Sequence, residues 1–537
     1  MRRNFIFASV IICFSRKISF RCLLGQYFSK FLITNCSNYH SSNSELLQLI
    51  SKDVDFSQRL SSLKKKYPLV KDTLRGYPEI QAVLKNRIIT KSARSNEVII
   101  GNPLNQFYTL HKFSTQWPKA VQKLSRASAE ILRLSAESDE PNPQLSEIVA
   151  KLLGLSREIS LVEVEIIEVK RAAQSILRLQ EFYHLDAGDI LQGRIENYSA
   201  ARPMTEDEAR LTILAAFTKA DFCRVTQWGQ QFPSLGFSIP DLVEPVLRKR
   251  KPPTRSQCAS MQCFSGGSGK SYCTGKDDVT NKYQQTCNQR YFSTLDKSKP
   301  RYPPCFLHAS HPALILQPTR VEWVSLNPPI YMFHSIFTPQ ECDQFWRVGR
   351  SEEQEGGSGS DDSRESGARG GTNEWLSDSF DEVYLFTKRV SQSTGLSADS
   401  ESEDWQASSY GLGGHYWFHY DYFSDHTSLD HDSFSSMGNR LATFMVYLSD
   451  VYFGGATAFP LLGKSFQPKK GSALFWFNLD LAGAPLPYTL HGGCAVGVGT
   501  KRIGNKWVRY NGQFNTFPCG LKREKQTPKL PKSLVKF

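Results

Sequence analysis

His419 and Asp421 stand two residues apart in Tyr410–Asp421, which reads YGLGGHYWFHYD. On an extended strand, side chains two apart project to the same face, so this imidazole and this carboxylate would converge on one point. A second imidazole, His491, follows 70 residues after Asp421 in Thr489-Leu490-His491-Gly492-Gly493. Two histidines and one carboxylate on one face of a metal leave the opposite positions open, the arrangement that non-haem Fe(II) oxygenases use. A 2-oxo acid can chelate two of those positions and O2 can take the third. The distal carboxylate of such a cosubstrate needs a counter-charge inside an apolar barrel. Lys501, ten residues after His491, is far enough on to return along a neighbouring strand and supply it as a compact point charge. Tyr410, at the head of the first ligand strand, can add a hydroxyl donor.

A His-x-Asp pair alone arises by chance, and a lone strand histidine is more often a hydrogen-bonded structural residue. Here the surroundings are small: Gly411, Gly413 and Gly414 before the pair, Gly454-Gly455-Ala456-Thr457 after it, and Gly492-Gly493 beside His491. Such residues let backbone and cosubstrate approach closely. His415 shares the ligand face of an unbroken strand but would lie roughly 13 Å from His419. His426 and His431 fall in a polar stretch where an exposed role is expected. Without the three ligands, Lys501 would read as a solvated surface lysine.

The elements that must hold these residues change character along the chain. With 537 residues it is too long for one core and suggests two to four domains. From Ser44 to Ser125 an amphipathic helical stripe (Leu46, Leu47, Leu49, Ile50, Phe56, Leu60, Leu63, Val70) recurs at helical steps. A second helical block spans Gln144 to Leu247, with Val162–Phe182 apolar at helical spacing and a capping box at Thr205–Glu208. Its paired helices look like a tetratricopeptide-type unit. Tyr183, Tyr198, Phe222 and Trp228 are candidates to line a groove for an extended peptide, with plain core residues the alternative reading for each. Lys249 to Arg301 reads as a linker. Its Gly266–Ser271 run lacks the first glycine of a phosphate-binding loop, Phe264 standing there, so nucleotide binding is rejected. From Phe306 the period becomes two: 321–324, 330–333, 441–447 and 473–477 read as short strands of a sandwich or jelly roll. Ser351–Gly371, rich in Glu, Asp, Ser and Gly, reads as a mobile loop.

The formal charge of +13 comes without a Lys/Arg stripe interleaved with aromatics, so nucleic-acid binding is not indicated. A basic exterior suits a neutral or mildly acidic polypeptide. Arg2 and Arg3 precede an apolar run from Phe5 to Phe14, too short to span a bilayer but the size of a signal-peptide core. The absence of Asp and Glu before Glu45 fits a mitochondrial transit peptide as well. No later stretch reads as a transmembrane helix. Twelve cysteines favour an oxidising compartment, and Asn35-Cys36-Ser37 and Asn197-Tyr198-Ser199 are sequons compatible with it. Cys223 and Cys342 sit in helical or apolar contexts where free, buried thiols are expected.

Taken in order, several motifs form a recognisable series. They are Tyr410-x-x-Gly413-x-x-Tyr416-x-x-His419-x-Asp421, Gly438-Asn439-Arg440-Leu441-Ala442-Thr443, Gly454-Gly455-Ala456-Thr457-x-Phe459-Pro460, the run Pro468–Trp476, His491-x-x-Cys494 and Gly504-Asn505-Lys506-Trp507. The series resembles the family of collagen-type prolyl 4-hydroxylase alpha subunits, densely from Trp405 to Cys519. Upstream, Tyr183-His184-Leu185-Asp186 resembles the start of that family's peptide-binding domain, and Gly101-Asn102-Pro103-Leu104-Asn105 a signature of its N-terminal domain. The fold implied is α+β multidomain: an N-terminal all-α region followed by a double-stranded β-helix (jelly-roll) catalytic domain. The implied divisions are a signal peptide at 1–22, a dimerisation-like helical domain at 44–143 and a peptide-substrate-binding helical domain at 144–250. A cysteine-containing linker at 251–304, the jelly-roll dioxygenase domain at 305–520 and a basic tail at 521–537 complete them.

By that resemblance His419, Asp421 and His491 bind Fe(II), and Lys501 binds the distal carboxylate of 2-oxoglutarate. Tyr410, Thr457 and Trp507 line the cosubstrate pocket. The activity implied is hydroxylation at C4 of peptidyl proline in X-Pro-Gly sequences of a procollagen-like chain, with ascorbate keeping the iron reduced. The family also implies the endoplasmic-reticulum lumen, which favours a secretory reading of the leader, and an oligomer with protein disulfide isomerase as partner subunit. It implies Cys494–Cys519 and Cys273–Cys287 disulfides, with Cys258, Cys263 and Cys305 extra. This chain departs from the family at Ser351–Gly371, where Arg369 and Trp375 are the residues left to align, at Arg502 in place of a tryptophan, and in a helical region that keeps few of the family's tyrosines. Two other readings stand beside it: a 2-oxoglutarate oxygenase acting on another peptidyl substrate, and a non-catalytic peptide-binding subunit. Lysine at 501 counts against the lysyl hydroxylase branch, and the complete set of His419, Asp421, His491 and Lys501 counts against a pseudoenzyme.

Overall fold

The computed structural model describes residues 43–86, 101–136, 143–249, 261–265, 271–275, 277–288, 305–353, 371–399, 402–423, 437–517 and 528–532. The expected signal peptide, the first sequon, Arg369, His426, His431 and Cys519 lie outside them. The described residues up to 249 are almost wholly helical. Helices open where local chemistry satisfies the first-turn amides. Asn102 caps Pro103–His111 by accepting from the amides of Leu104 and Asn105, and Pro103 occupies the first turn where no N–H is needed. Thr205 and Glu208 form the expected reciprocal box at the start of Glu206–Thr218. Glu208 is fully buried there and also receives two hydrogen bonds from Arg202. The long Ile166–Tyr183 helix ends at His184 in the left-handed conformation, and Asp186 at once caps the next helix. Two small hairpins follow in this half and the linker, β1 (Arg194–Ile195) with β2 (Tyr198–Ser199) and β3 (Met261–Ser265) with β4 (Ser271–Gly275).

The C-terminal part holds β5 (Cys305–His308), β6 (Thr319–Leu326), β7 (Pro329–His334), β8 (Thr372–Leu376), β9 (Trp405–Tyr410), β10 (Tyr416–His419), β11 (Arg440–Tyr447), β12 (Val451–Gly454), β13 (Thr457–Phe459), β14 (Lys464–Phe466), β15 (Ala473–Phe477), β16 (His491–Gly493), β17 (Val496–Gly499) and β18 (Lys501–Arg509). An eight-stranded sheet runs β5-β6-β7-β15-β11-β18-β9-β8, and a four-stranded sheet runs β10-β16-β13-β14. Every pairing is antiparallel. Two sheets of this kind closed over a shared interior make the jelly roll.

Strand alternation separates the two faces of the large sheet. Phe444 and Val446 of β11 and Phe475 and Phe477 of β15 join a core with Phe345 and Phe386, from the helices Pro339–Glu353 and Asp381–Thr394. Met445, Tyr447, Leu474 and Trp476 turn the other way, against Phe459 of the small sheet. The helix Pro339–Glu353 carries the chain into the stretch expected to be a loop, and 354–370 lie outside the described residues.

The helical half does not stand apart. One buried core runs from its helices into the jelly roll and takes in Leu412, Ala456, Cys494 and Ala495, with Trp417, Phe418 and Phe453 packed on it. Tyr183 Oη donates to the carbonyl of Ala495, and its ring lies 4.7 Å from that of Phe453. Trp228 is fully buried with its Nε1 donating to Gln180. These two of the four proposed groove aromatics are therefore core; Tyr198 and Phe222 are half-buried, and Tyr198 Oη donates to the carbonyl of Tyr452. The Gly101–Asn105 segment also reaches across: the Gly499 amide donates to the Gly101 carbonyl. Among the described residues, no helix is long and apolar enough to cross a membrane.

Three cysteine expectations are corrected. Cys494 is bonded to Cys287, with Cα atoms 5.6 Å apart. The helix Asp278–Cys287 lies along the outer side of β10 and β16, where the Tyr283 hydroxyl is 3.1 Å from the Tyr416 carbonyl and 2.8 Å from that of Gly493. That docking sets the last residue of the helix beside Cys494 and removes both from the expected Cys273–Cys287 and Cys494–Cys519 pairs. Cys223 is disulfide-bonded, not a free thiol. Cys342 is free and buried as expected, and Cys305 is free and exposed.

Candidate metal centre and its pocket

The stretch Tyr410–Asp421 is not one strand. Tyr410 closes β9 in the large sheet, Gly411–Gly414 turn the chain, and β10 continues in the small sheet. Gly413 has a φ of +60°, and a Cβ there would come within 2.7 Å of Ser175, so this crossing requires glycine. β10 ends at His419, directly opposite His491 at the start of β16, and Asp421 sits in the bend just beyond. The two histidines thus meet through strand pairing and the carboxylate arrives by the turn.

His419 Nε2 lies 3.5 Å from Asp421 Oδ1, and His491 Nε2 lies 3.7 Å from Asp421 Oδ2. All the candidate ligand atoms fall within 4.8 Å of one another. Each imidazole turns its Nδ1 to a backbone carbonyl, His419 to Trp417 at 2.8 Å and His491 to Thr489 at 3.0 Å. A carbonyl only accepts, so each Nδ1 carries the proton and each Nε2 presents a lone pair to the common centre. Burial alone would raise the Asp421 carboxyl, but His491 and His419 beside it prevail and hold it well below the usual carboxylate range. Burial pushes the His491 imidazole down to about 4 against the pull of Asp421, so it is neutral and able to ligate at neutral pH. Two neutral imidazole nitrogens and one carboxylate, buried and locked from behind, fit Fe(II).

A cavity of about 210 Å³ opens beside the three ligands. Alternation along β18 turns Lys501, Ile503, Asn505 and Trp507 into it. Arg502 points the opposite way, its guanidinium 5.0 Å from the Trp346 ring, so this departure from the family leaves the cavity wall unchanged. Lys501 is buried opposite Tyr410 of β9, and its Nζ donates to Thr457 Oγ1 at 3.1 Å. Tyr447 Oη donates to the same oxygen at 3.0 Å. Burial drives the Lys501 ammonium down to about 7, a setting that an anionic partner would reverse. Tyr410, Thr457 and Trp507, the other expected pocket residues, all line this cavity. His415 is buried beside it, against the rings of Phe182 and Trp417.

At the other end of the cavity the Arg440 guanidinium stacks 3.8 Å from the centre of the Trp507 ring. Glu403 holds Arg440 and also Arg509, and Trp375, half exposed, lies 5.9 Å from Trp507. Trp507 Nε1 is buried and has no hydrogen-bond partner among the described residues, which leaves a donor for a bound molecule. Sequence reasoning passed over Thr443, Tyr447, Asn478 and Arg440. The signal was the alternation of β11, which puts Thr443 on the inward face with Met445 and Tyr447, a polar residue among apolar ones.

The family model described as "2OG-Fe(II) oxygenase superfamily" matches residues 405–509, and that described as "Prolyl 4-Hydroxylase alpha-subunit, N-terminal region" matches 42–197. The chain is 25% identical to prolyl 4-hydroxylase subunit alpha-1 of Rattus norvegicus over 551 residues, covering 91% of this chain and 97% of the relative. It is 25% identical to prolyl 4-hydroxylase subunit alpha-2 of Caenorhabditis elegans over 476 residues, 80% of this chain and 84% of the relative. A solved structure of a viral collagen prolyl hydroxylase from Paramecium Bursaria Chlorella virus-1, in its 2OG complex, is 26% identical, covering 34% of this chain and 95% of that one with a TM-score of 0.26.

Proposed function

The chain belongs to the prolyl 4-hydroxylase alpha-subunit family, and from that premise we propose that it hydroxylates C4 of peptidyl proline in X-Pro-Gly segments of procollagen-like polypeptides. The observation that carries the reading is the convergence of His419, Asp421 and His491 on a cavity whose wall offers a buried lysine with no carboxylate partner among the described residues. His419, Asp421 and His491 are the residues that would hold Fe(II). When bound, the iron supplies the activation of O2 that couples decarboxylation of 2-oxoglutarate, giving succinate and CO2, to hydroxylation of the proline.

The chain's own residues set the conditions for that coupling. The Nδ1 protons of His419 and His491, tied to backbone carbonyls, keep both imidazoles in the ligating tautomer. Lys501 meets the distal carboxylate of the cosubstrate, and Thr457, already within hydrogen-bond reach of Lys501 and Tyr447, adds a hydroxyl at the same spot. Met445 and Tyr447 on β11 and Phe459 on β13 wall the interior and keep water from the reacting centre. Arg440 and Trp507 form a stacked rim on which a peptide can be oriented, with the free Trp507 Nε1–H as donor.

The same reading extends to the setting. Ascorbate would serve as reductant for iron oxidised in uncoupled turnovers, and the leader would deliver the chain to the endoplasmic-reticulum lumen. The Cys287–Cys494 disulfide supports an oxidising compartment. Assembly as an oligomer with protein disulfide isomerase follows from the family alone. The direct test is incubation of the full chain with Fe(II), 2-oxoglutarate, ascorbate and a (Pro-Pro-Gly)-type peptide, followed by mass spectrometry. Oxygen addition on proline at C4 is expected; 2-oxoglutarate turnover with unmodified peptide would remove the substrate assignment.

A further inference from the structure

Behind Asp421 runs a line of buried polar groups that does not line the cavity. Trp476 Nε1 donates to Asn478 Oδ1 at 2.9 Å, Asn478 Nδ2 donates to Thr443 Oγ1 at 2.9 Å, and Thr443 Oγ1 donates to Asp421 Oδ2 at 2.7 Å. Trp476 and Asn478 are fully buried and Thr443 is 1% exposed, so none of these bonds competes with solvent. The line comes from sheet register: Thr443 on β11 and Trp476 on β15 are direct cross-strand partners, and Asn478 follows β15.

Its direction is fixed by chemistry. An indole N–H can only donate, so the Asn478 amide must face it with oxygen and face Thr443 with nitrogen. The Thr443 oxygen, already accepting from Asn478, has a single hydrogen left, and that hydrogen is committed to Asp421 Oδ2. The same Trp476 ring stands edge-on to His491, with centroids 4.7 Å apart. One indole therefore packs against one ligand and orients another through two side chains.

We propose that Trp476, Asn478 and Thr443 are positioning residues that hold one oxygen of Asp421 in a directed hydrogen bond, so that this carboxylate offers the metal a single oxygen. A carboxylate using both oxygens would occupy a position that a chelating 2-oxo acid needs. Turning Asp421 Oδ2 away from Thr443 would break that bond and leave buried groups unsatisfied, which resists the change. The inference rests on the metal reading of the site.

The experiment uses the full chain. Mn(II) binding is titrated by electron paramagnetic resonance with and without 2-oxoglutarate, and the visible spectrum of the Co(II)-substituted protein reports coordination. Thr443→Val keeps the shape and removes the hydroxyl, whereas Thr443→Ser keeps the hydroxyl. Removing the relay's last donor is expected to weaken Mn(II) about 10-fold or more and to change the Co(II) spectrum, with Thr443→Ser restoring both to within about twofold. If Thr443→Val does not fold, Thr443→Ala removes the same hydroxyl without new bulk and is read in the same way. A folded, hydroxyl-free variant with wild-type Mn(II) affinity and an unchanged Co(II) spectrum overturns the proposal. A wild-type chain that binds neither Mn(II) nor Co(II) sinks the metal reading itself, a different result from failure of the relay.

Discussion

His491 is held from behind by the Thr489 carbonyl and from the side by the Trp476 ring, so its Nε2 has one direction left in which to act. Replacing it with alanine should abolish turnover. It should also lower Mn(II) affinity by more than the roughly 10- to 100-fold that loss of a second-shell partner costs, measured by titration on the metal-free chain. Lys501→Ala should raise the 2-oxoglutarate KM while Mn(II) affinity stays at the wild-type level; unchanged cosubstrate kinetics would remove its assigned role. The lysine also predicts a pH dependence. Burial lowers its ammonium to about 7, so below that pH the free protein carries the charge that meets a carboxylate, and above it binding must first take up a proton. The 2-oxoglutarate KM should therefore rise with pH above 7, by at most roughly tenfold per unit, and initial rates at several pH values measure it. That these residues meet was legible because ligand chemistry needs particular residue types at particular spacings. The alternation of β11 marks Thr443 as inward-facing, but its role and that of Asn478 were not legible, since a buried threonine or asparagine acquires its role only from the register of the strands around it.

At the level of elements, the Asp278–Cys287 helix is the brace of the metal strands. Its Tyr283 hydroxyl reaches carbonyls on both β10 and β16, and Cys287 ties it covalently three residues past His491. Paired Cys287→Ser and Cys494→Ser substitutions should lower stability by about 2–4 kcal/mol, read as a fall in the denaturant midpoint that added reductant reproduces in the wild type. An unchanged midpoint would show that packing alone holds the helix. The strands at 321–324, 330–333, 441–447 and 473–477 could be read from their alternation, and the capping box at Thr205–Glu208 from its residue types. The cysteine pairing could not, because it depends on a helix crossing to a strand some two hundred residues away. Nor could the break between β9 and β10, where Gly411–Gly414 carry the chain from one sheet to the other, so that Tyr410 faces Lys501 across β18 and does not head the ligand strand.

Among the described residues, one buried core runs from the helical half into the jelly roll, and the amphipathic stripes of the sequence gave no clue to what they would cover. Leu412, Ala456, Cys494 and Ala495, with Trp417, Phe418 and Phe453, would be uncovered in a chain cut at residue 305. Such a fragment should aggregate or bind a hydrophobic dye on expression, whereas a soluble fragment with a cooperative melt would contradict the shared core. The helical half thus backs the ligand strands by direct packing. The most direct measurement of the central claim is a reaction of the full chain in isotopically heavy O2 with Fe(II), 2-oxoglutarate, ascorbate and a (Pro-Pro-Gly)-type peptide. One labelled oxygen in succinate and one in 4-hydroxyproline, in equal amounts and both lost in His491→Ala, is the predicted result. Labelled succinate with no labelled 4-hydroxyproline, or neither product, would contradict it.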